Sequence, residues 1–210
     1  MAADVDLTME RRRVSAMAGF AAVAVSLSGI LVAVGLAPWF AWRTDALSNL
    51  GVATGPERLV FNGTLLLTGV LGLAFLPALR TTMRATAHRV AQLPLVVGVV
   101  AIAGVGLFPA GHPYHFPLAA TGYLGFIAAP VAYGVGDFYV GARRRAAATV
   151  ASGLLHLGVW VAWATLLDDA LPGLAAPEFV GALLFNAWVA YTAVRVYRTG
   201  TRGRNDARAQ

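Results

Sequence analysis

Six apolar runs separated by short polar connections dominate the sequence of this 210-residue chain. A helix needs roughly 20 predominantly apolar residues to cross the hydrocarbon core of a bilayer, and each run is about that long. The runs are residues 14–37, 58–79, 90–108, 117–140, 147–167 and 177–197. Because lipid offers no hydrogen-bond partner to a free backbone group, we expect each run to be helical. The pattern predicts an all-α, polytopic membrane protein with six transmembrane helices in one bundle.

Composition supports a membrane protein over a soluble domain. Hydrophobic residues make up 58% of the chain and charged residues only 12%, whereas soluble domains are about 25% charged. Cysteine is absent, which excludes a disulfide framework, a thiolate metal site and a cysteine nucleophile. The sequence also contains no glycine-rich phosphate loop and no G-x-S-x-G nucleophile motif.

The distribution of arginine predicts the orientation of the chain. All 16 basic residues are arginine, and only Arg43 and Arg58 lie in the odd-numbered connections. The other 14 lie at the termini and in the even-numbered connections: Arg11, Arg12, Arg13, Arg80, Arg84, Arg89, Arg143, Arg144, Arg145, Arg195, Arg198, Arg202, Arg204 and Arg208. The positive-inside rule therefore predicts cytoplasmic tails at 1–13 and 198–210, with the six-span domain in the cell membrane. Such charge contacts anionic lipid headgroups, so we expect membrane lipids as partners and no nucleic acid.

This orientation gathers polar residues on the extracytoplasmic face, in and beside the connections 38–57, 108–117 and 168–173. The face holds five carboxylates: Asp45, Glu57, Asp168, Asp169 and Glu178. The candidate polar site predicted there consists of Asp45, Ser48, Asn49, Asn62, His112, His115 and Asp168.

The stretch FPAGHPYHFP (108–117) places two histidines three residues apart. His112, His115 and a carboxylate could form a zinc site with one position left for water, and the metal could ionise that water for attack on an ester or amide. Pro113 opposes a helix that would carry both histidines on one face. Two metal-free interpretations stay open: a hydrogen-bonding or pH-sensing pair, and an interfacial turn. We expect no cofactor, with zinc at these histidines as the alternative.

Polar residues inside the spans are a second group of candidates. His156 lies in the fifth run and Asn186 in the sixth. Polar side chains are costly in lipid and usually face the bundle interior, so we expect both to face inward. For His156 we expect a hydrogen bond to another helix, with proton transfer as the alternative. Asp137, at the inner end of the fourth run, is expected to pair with the arginines at 143–145.

Three stretches resemble the DUF998 family of prokaryotic integral membrane proteins and, more distantly, the Frag1/DRAM/Sfk1 membrane proteins. They are TDALSNLG (44–51), PERLVFNGTLLLTG (56–69) and GLFPAGHPYHFPLAA (106–120), and the resemblance extends over most of 14–197. It implies a membrane fold but no reaction. The positions that it makes worth testing are Asp45, Ser48, Asn62 and His115.

The chain departs from the family pattern at the third of these stretches. Family members usually show an acidic or small residue after the F-P pair and one histidine before the fourth span. Here the small residues Ala110 and Gly111 follow the pair, which fits the pattern, but two histidines are present instead of one. Which histidine matches the family position is therefore open.

The leading functional hypothesis is a multi-pass membrane protein that interacts with lipid and is not an enzyme. One alternative is a metal-dependent, membrane-embedded lipid hydrolase, which requires His112 or His115 close to Asp45 or Asp168. A second alternative is a small transporter that uses Asn62, His156 and Asn186 within the membrane. The sequence does not predict an oligomeric state.

Overall fold

The computed structural model describes the backbone of residues 2–208 and the side chains of residues 10–198. Seven α-helices lie within this part of the chain: α1 Ala2–Gly35, α2 Pro56–Arg80, α3 Thr86–Val90, α4 Gln92–Leu107, α5 His115–Tyr139, α6 Arg143–Ala162 and α7 Ala175–Arg208. A 3-10 turn, Leu47–Val52, follows α1, and a π-helical segment, Trp163–Leu167, extends α6. No strand occurs in residues 2–208. Most side chains of the two predicted tails lie outside the described range.

Six helical segments are long and apolar enough to cross a membrane. They are Glu10–Gly35, Pro56–Arg80, Thr86–Leu107, His115–Tyr139, Arg143–Leu167 and Ala175–Arg198. The short helix α3 precedes α4 in the third segment, and Ala91 lies between the two helices. These segments confirm the prediction of an all-α protein with six spans.

The six spanning segments form a closed ring. Each packs against the next along the chain, and α7 returns to pack against α1. Arg13 near the start of the first span donates a hydrogen bond to the hydroxyl of Tyr197, with 3.2 Å between Nη2 and the oxygen. Both termini therefore leave the bundle at one end, which we call the proximal end. The connections between α1 and α2, α4 and α5, and α6 and α7 lie at the opposite, distal end.

Glycine allows neighbouring helices to approach closely. A Cβ atom added to Gly125 of α5 would lie 2.6 Å from the carbonyl oxygen of Pro94 and 2.7 Å from the Cα of Gly98, both in α4. No side chain fits between these backbones. Since lipid supplies no hydrophobic force between helices, such close van der Waals packing is a main source of their association.

Candidate functional site

The connection between α1 and α2 folds across the distal end of the bundle, and we call residues 36–55 the distal cap. Three backbone N–H groups join it to the last connection and to the start of α7. The N–H groups of Gly173 and Ala175 donate to the carbonyls of Arg43 and Asp45, each at 2.9 Å. The N–H of Leu47 donates to Oε2 of Glu178 at 2.6 Å. A Cβ atom at Gly173 would collide with the backbone of Asp45, so glycine is required where the two connections meet.

Three of the predicted site residues hold the distal cap in place. Asp45 accepts hydrogen bonds from the N–H of Ala41 at 2.8 Å and from Nδ2 of Asn49 at 3.1 Å. Asn62, in α2, donates through Nδ2 to the carbonyl of Gly51 at 3.0 Å. These contacts lie within the cap and its junction with α2, so the three side chains position the chain above the bundle.

His112 and His115 are bonded within their own connection. Nδ1 of His112 accepts from the N–H of Tyr114 at 3.2 Å, and its ring lies 4.7 Å from that of Phe108. Nδ1 of His115 lies 3.0 Å from the carbonyl oxygen of Phe108. A carbonyl can only accept, so this nitrogen carries the proton. Asp168 is exposed and accepts from the N–H of Asp169 at 3.1 Å.

No group of three or more His, Cys, Asp or Glu residues that could hold a metal ion occurs among the side chains of residues 10–198. The two histidines of the 108–117 connection therefore lack a third protein ligand from this part of the chain. Zinc at His112 and His115 stays a prediction without a completed ligand set.

A cavity of about 100 Å³ lies inside the ring of helices. Its wall is formed by α1, α2, α4, α5, α7 and the distal cap, whereas α6 contributes no lining residue. On α2 the lining residues extend from Phe61 to Phe75, which corresponds to about 21 Å at 1.5 Å per residue. The small volume and this length together indicate a narrow cavity that follows the bundle axis.

Polar groups are concentrated at the distal end of the cavity. Ser48, His115, Tyr123 and Glu178 line this end, and the proximal part is lined mostly by apolar side chains such as Phe75, Leu95, Val99 and Val189. Ser26 and Asn186 lie farther along the wall, where two other buried polar atoms, Oγ1 of Thr68 and Nε1 of Trp188, have no hydrogen-bond partner among the described residues. The cavity thus has one polar end and a long apolar part.

Glu178 is a buried carboxylate in this polar end. It is 7% exposed, and its one hydrogen bond among residues 10–198 is the bond from Leu47. No arginine lines the cavity and no ion pair to Glu178 occurs within the same part of the chain. Buried carboxylates are almost always paired, so this group is unusual.

Asn186 and His156 differ in how the fold uses them. Nδ2 of Asn186 lies 3.2 Å from Oγ of Ser26 on α1 and 2.9 Å from the carbonyl oxygen of Ala182, so this side chain faces the bundle interior. The prediction for His156 is wrong: neither ring nitrogen has a partner among the described residues. The imidazole instead packs against Gly181 and lies edge-on to Tyr123, with 5.9 Å between the ring centroids.

A second polar cluster lies at the proximal end, away from the cavity. Asp137 is 1% exposed, and its Oδ1 lies 3.2 Å from Nε2 of His88 and 2.8 Å from Nε of Arg145. The Arg145 contact is an ion pair without a well-directed hydrogen bond, because the same Nε has no hydrogen-bond partner. Nδ1 of His88 accepts from the N–H groups of Arg84 and Ala85. The predicted pairing of Asp137 with the arginines is confirmed, and His88 was not foreseen.

Sequence reasoning placed Ser48 and His115 in the site but missed Ser26 and Tyr123. It noted Glu178 only as one of the carboxylates of its face. A signal was present, because Glu178 follows a proline at the start of an apolar run. Glu57 has the same signal, yet it lies outside the cavity wall, where its Oε1 accepts a hydrogen bond from Nε1 of Trp39 at 3.3 Å.

Comparison with known proteins adds a family and no activity. The family described as "Protein of unknown function (DUF998)" matches residues 20–195. All residues that line the cavity fall within the matched segment. No curated protein and no solved structure matches the chain.

Proposed function

Since this chain belongs to the DUF998 family, whose description assigns no activity, we propose a function from its cavity: the protein binds part of one hydrocarbon chain of a membrane lipid inside its helical ring. The observation that supports this proposal is a narrow, mostly apolar cavity with a polar end, inside a six-span bundle. Ligand sites in proteins commonly combine an apolar wall with a few placed polar groups.

The size of the cavity favours a single chain. A cavity of about 150 Å³ in another protein binds benzene, so the cavity of about 100 Å³ here has room for a short segment of one hydrocarbon chain. A slender chain is the part of a lipid that suits so narrow a space, while a whole lipid with two chains and a headgroup is too large. We therefore propose that the segment of the chain next to the polar end lies in the apolar part of the cavity, and that the polar end of the lipid lies near the distal cap.

Ala182 and Ala187 of α7 allow a matched test of this proposal. Ala182 lines the cavity, whereas Ala187 is exposed on the same helix. An Ala182→Leu side chain would occupy part of the space that the ligand needs, and a loss of about 1.4 kcal/mol of binding free energy corresponds to a tenfold loss in affinity. We expect radiolabelled hexadecanol to bind saturably to the purified protein and about tenfold more weakly to Ala182→Leu. Gel filtration at equilibrium measures the bound label.

The Ala187→Leu variant is the control and should bind hexadecanol as the unmodified protein does. Equal binding by all three proteins would contradict a site in the cavity. Equal losses in both variants would also contradict it, because the effect would then not depend on which face of α7 is changed.

The proposal includes an orientation, with both termini in the cytoplasm and the distal cap outside it. The arginine distribution supports this orientation through the positive-inside rule. Because the chain has no cysteine, a single introduced cysteine is the only thiol in the protein, and its labelling reports on which side of the membrane it lies. We expect an impermeant maleimide to label Tyr114→Cys in intact cells, since Tyr114 is distal and 61% exposed. Arg143→Cys, at the proximal end, should react only after the cells are permeabilised. The reverse pattern would contradict this orientation.

A further inference from the structure

We infer that the polar end of the bound lipid is a protonated amine and that Glu178 binds it. This inference rests on the proposed function and identifies the chemical class of the ligand, a long-chain primary amine. It starts from the wall of the cavity, in which Glu178 is the one carboxylate among the described residues.

The carboxylate of Glu178 has unused hydrogen-bonding capacity. Oε2 accepts from the N–H of Leu47, and Oε1 has no hydrogen bond to any residue in 10–198. Isolated charges are very costly to bury, so a carboxylate that is buried without a cation favours binding of one. Glu57, also buried at the distal end, likewise accepts one hydrogen bond, from Nε1 of Trp39, but it does not line the cavity and so cannot contact a ligand there.

The surroundings of Glu178 discriminate against anionic headgroups. A phosphate or carboxylate there would find no arginine in the cavity wall to neutralise it. It would instead approach a carboxylate in a region where water screens the repulsion poorly. Lipids with anionic headgroups are therefore disfavoured on electrostatic grounds.

An ammonium group fits the remaining polar side chains. It has three N–H donors, which can be shared among Glu178, the hydroxyl of Ser48 and other acceptors at the polar end. Hydrogen bonds between ionised groups are roughly twice as strong as neutral ones. Tyr123 lines the same end, and aromatic faces attract cations. A neutral alcohol could form hydrogen bonds here but would leave the carboxylate without a cation.

The headgroup is also the part of the ligand that can confer selectivity. A hydrocarbon chain that moves from the bilayer into the cavity is already out of water, so the hydrophobic effect contributes little to its entry. Discrimination between lipids of equal chain length must then come from the polar end.

The test compares hexadecylamine, hexadecanol and hexadecanoate as ligands of the purified full-length protein. We expect hexadecylamine to bind at least about tenfold more tightly than hexadecanol, and hexadecanoate most weakly. In Glu178→Gln this preference should disappear, because the Gln side chain is uncharged while its amide oxygen can still accept from Leu47. Glu57→Gln, a buried carboxylate outside the cavity, should keep the full preference. Each ligand also partitions into detergent. This partitioning is the same for every variant, so it cancels when the ratio of amine affinity to alcohol affinity is compared between variants.

The outcomes separate this inference from the proposed function. Equal affinity for amine and alcohol in the unmodified protein overturns the amine inference and leaves chain binding standing. An amine preference that survives in Glu178→Gln overturns the role of Glu178. If Ala182→Leu leaves the affinity for hexadecanol unchanged, the proposed function itself is overturned. The comparison in the unmodified protein decides the amine inference even where a variant fails to fold.

Discussion

The Asp137→Ala variant is expected to lose about 2–3 kcal/mol of unfolding free energy. Asp137 is buried at the proximal end between His88 and Arg145. Its removal leaves the Nε2–H of a fully buried imidazole without an acceptor. Breaking a buried pair typically costs about 3–5 kcal/mol, but the Arg145 side chain is 26% exposed and can turn its charge toward the headgroups. The expected loss therefore falls below that range. Titration with SDS in mixed micelles measures the change.

Two further substitutions define the origin of this loss. Asp137→Asn keeps an oxygen that can accept from His88 but removes the charge, so we expect an intermediate loss. Asp168→Ala removes an exposed carboxylate at the other end of the bundle, where the expected change is below about 0.5 kcal/mol. Equal stability of Asp137→Ala and Asp168→Ala would show that the proximal cluster does not stabilise the fold.

Gly125→Ala is expected to lower the free energy of unfolding by about 2–3 kcal/mol, near the upper end of overpacking costs. The added methyl would lie within 2.7 Å of backbone atoms of Pro94 and Gly98. Backbone cannot rotate aside as a side chain can, so α4 and α5 must separate along their contact. Thermal unfolding in detergent, followed by the loss of the monodisperse peak in size-exclusion chromatography, measures the effect.

Gly158→Ala is the matched control for this prediction. Gly158 lies within α6, and a Cβ atom added there has no neighbouring atom within 4 Å. Alanine is favoured over glycine in a helix by about 0.8–1.0 kcal/mol, so this variant should be slightly more stable than the unmodified protein. The two glycine-to-alanine substitutions are thus expected to change the free energy of unfolding in opposite directions. A destabilisation of equal size in both would contradict the close contact of α4 and α5.

The spans could be predicted from sequence because crossing a bilayer is a local property of apolar length. The inward position of Asn186 could also be predicted, since an amide within a span needs a polar partner; the identity of that partner, Ser26, could not. The same rule predicted an interhelical bond for His156, yet its ring packs without one. The rule describes a tendency of polar side chains and does not determine the packing at one position.

The candidate site was predictable only in part. Ser48 and His115 were identified because they lie in polar connections of the same face, and the fold places both on the cavity wall. Asp45 and Asn49 were identified by the same reasoning, but they bond to each other within the distal cap. Proximity on a face does not determine which side chains turn inward, because the path of the connection decides this.

The amino-acid sequence by itself determined the class of this protein: a cysteine-free, all-α, six-span membrane protein of the DUF998 family. Tertiary structure alone decided which polar groups meet. Glu57 and Glu178 each follow a proline at the start of a helix and cannot be distinguished by their local sequence. Closure of the helical ring places Glu178 on the cavity wall and Glu57 beside Trp39. The physical reason is that helix formation depends on neighbours in the chain, whereas a cavity is formed by residues far apart in sequence.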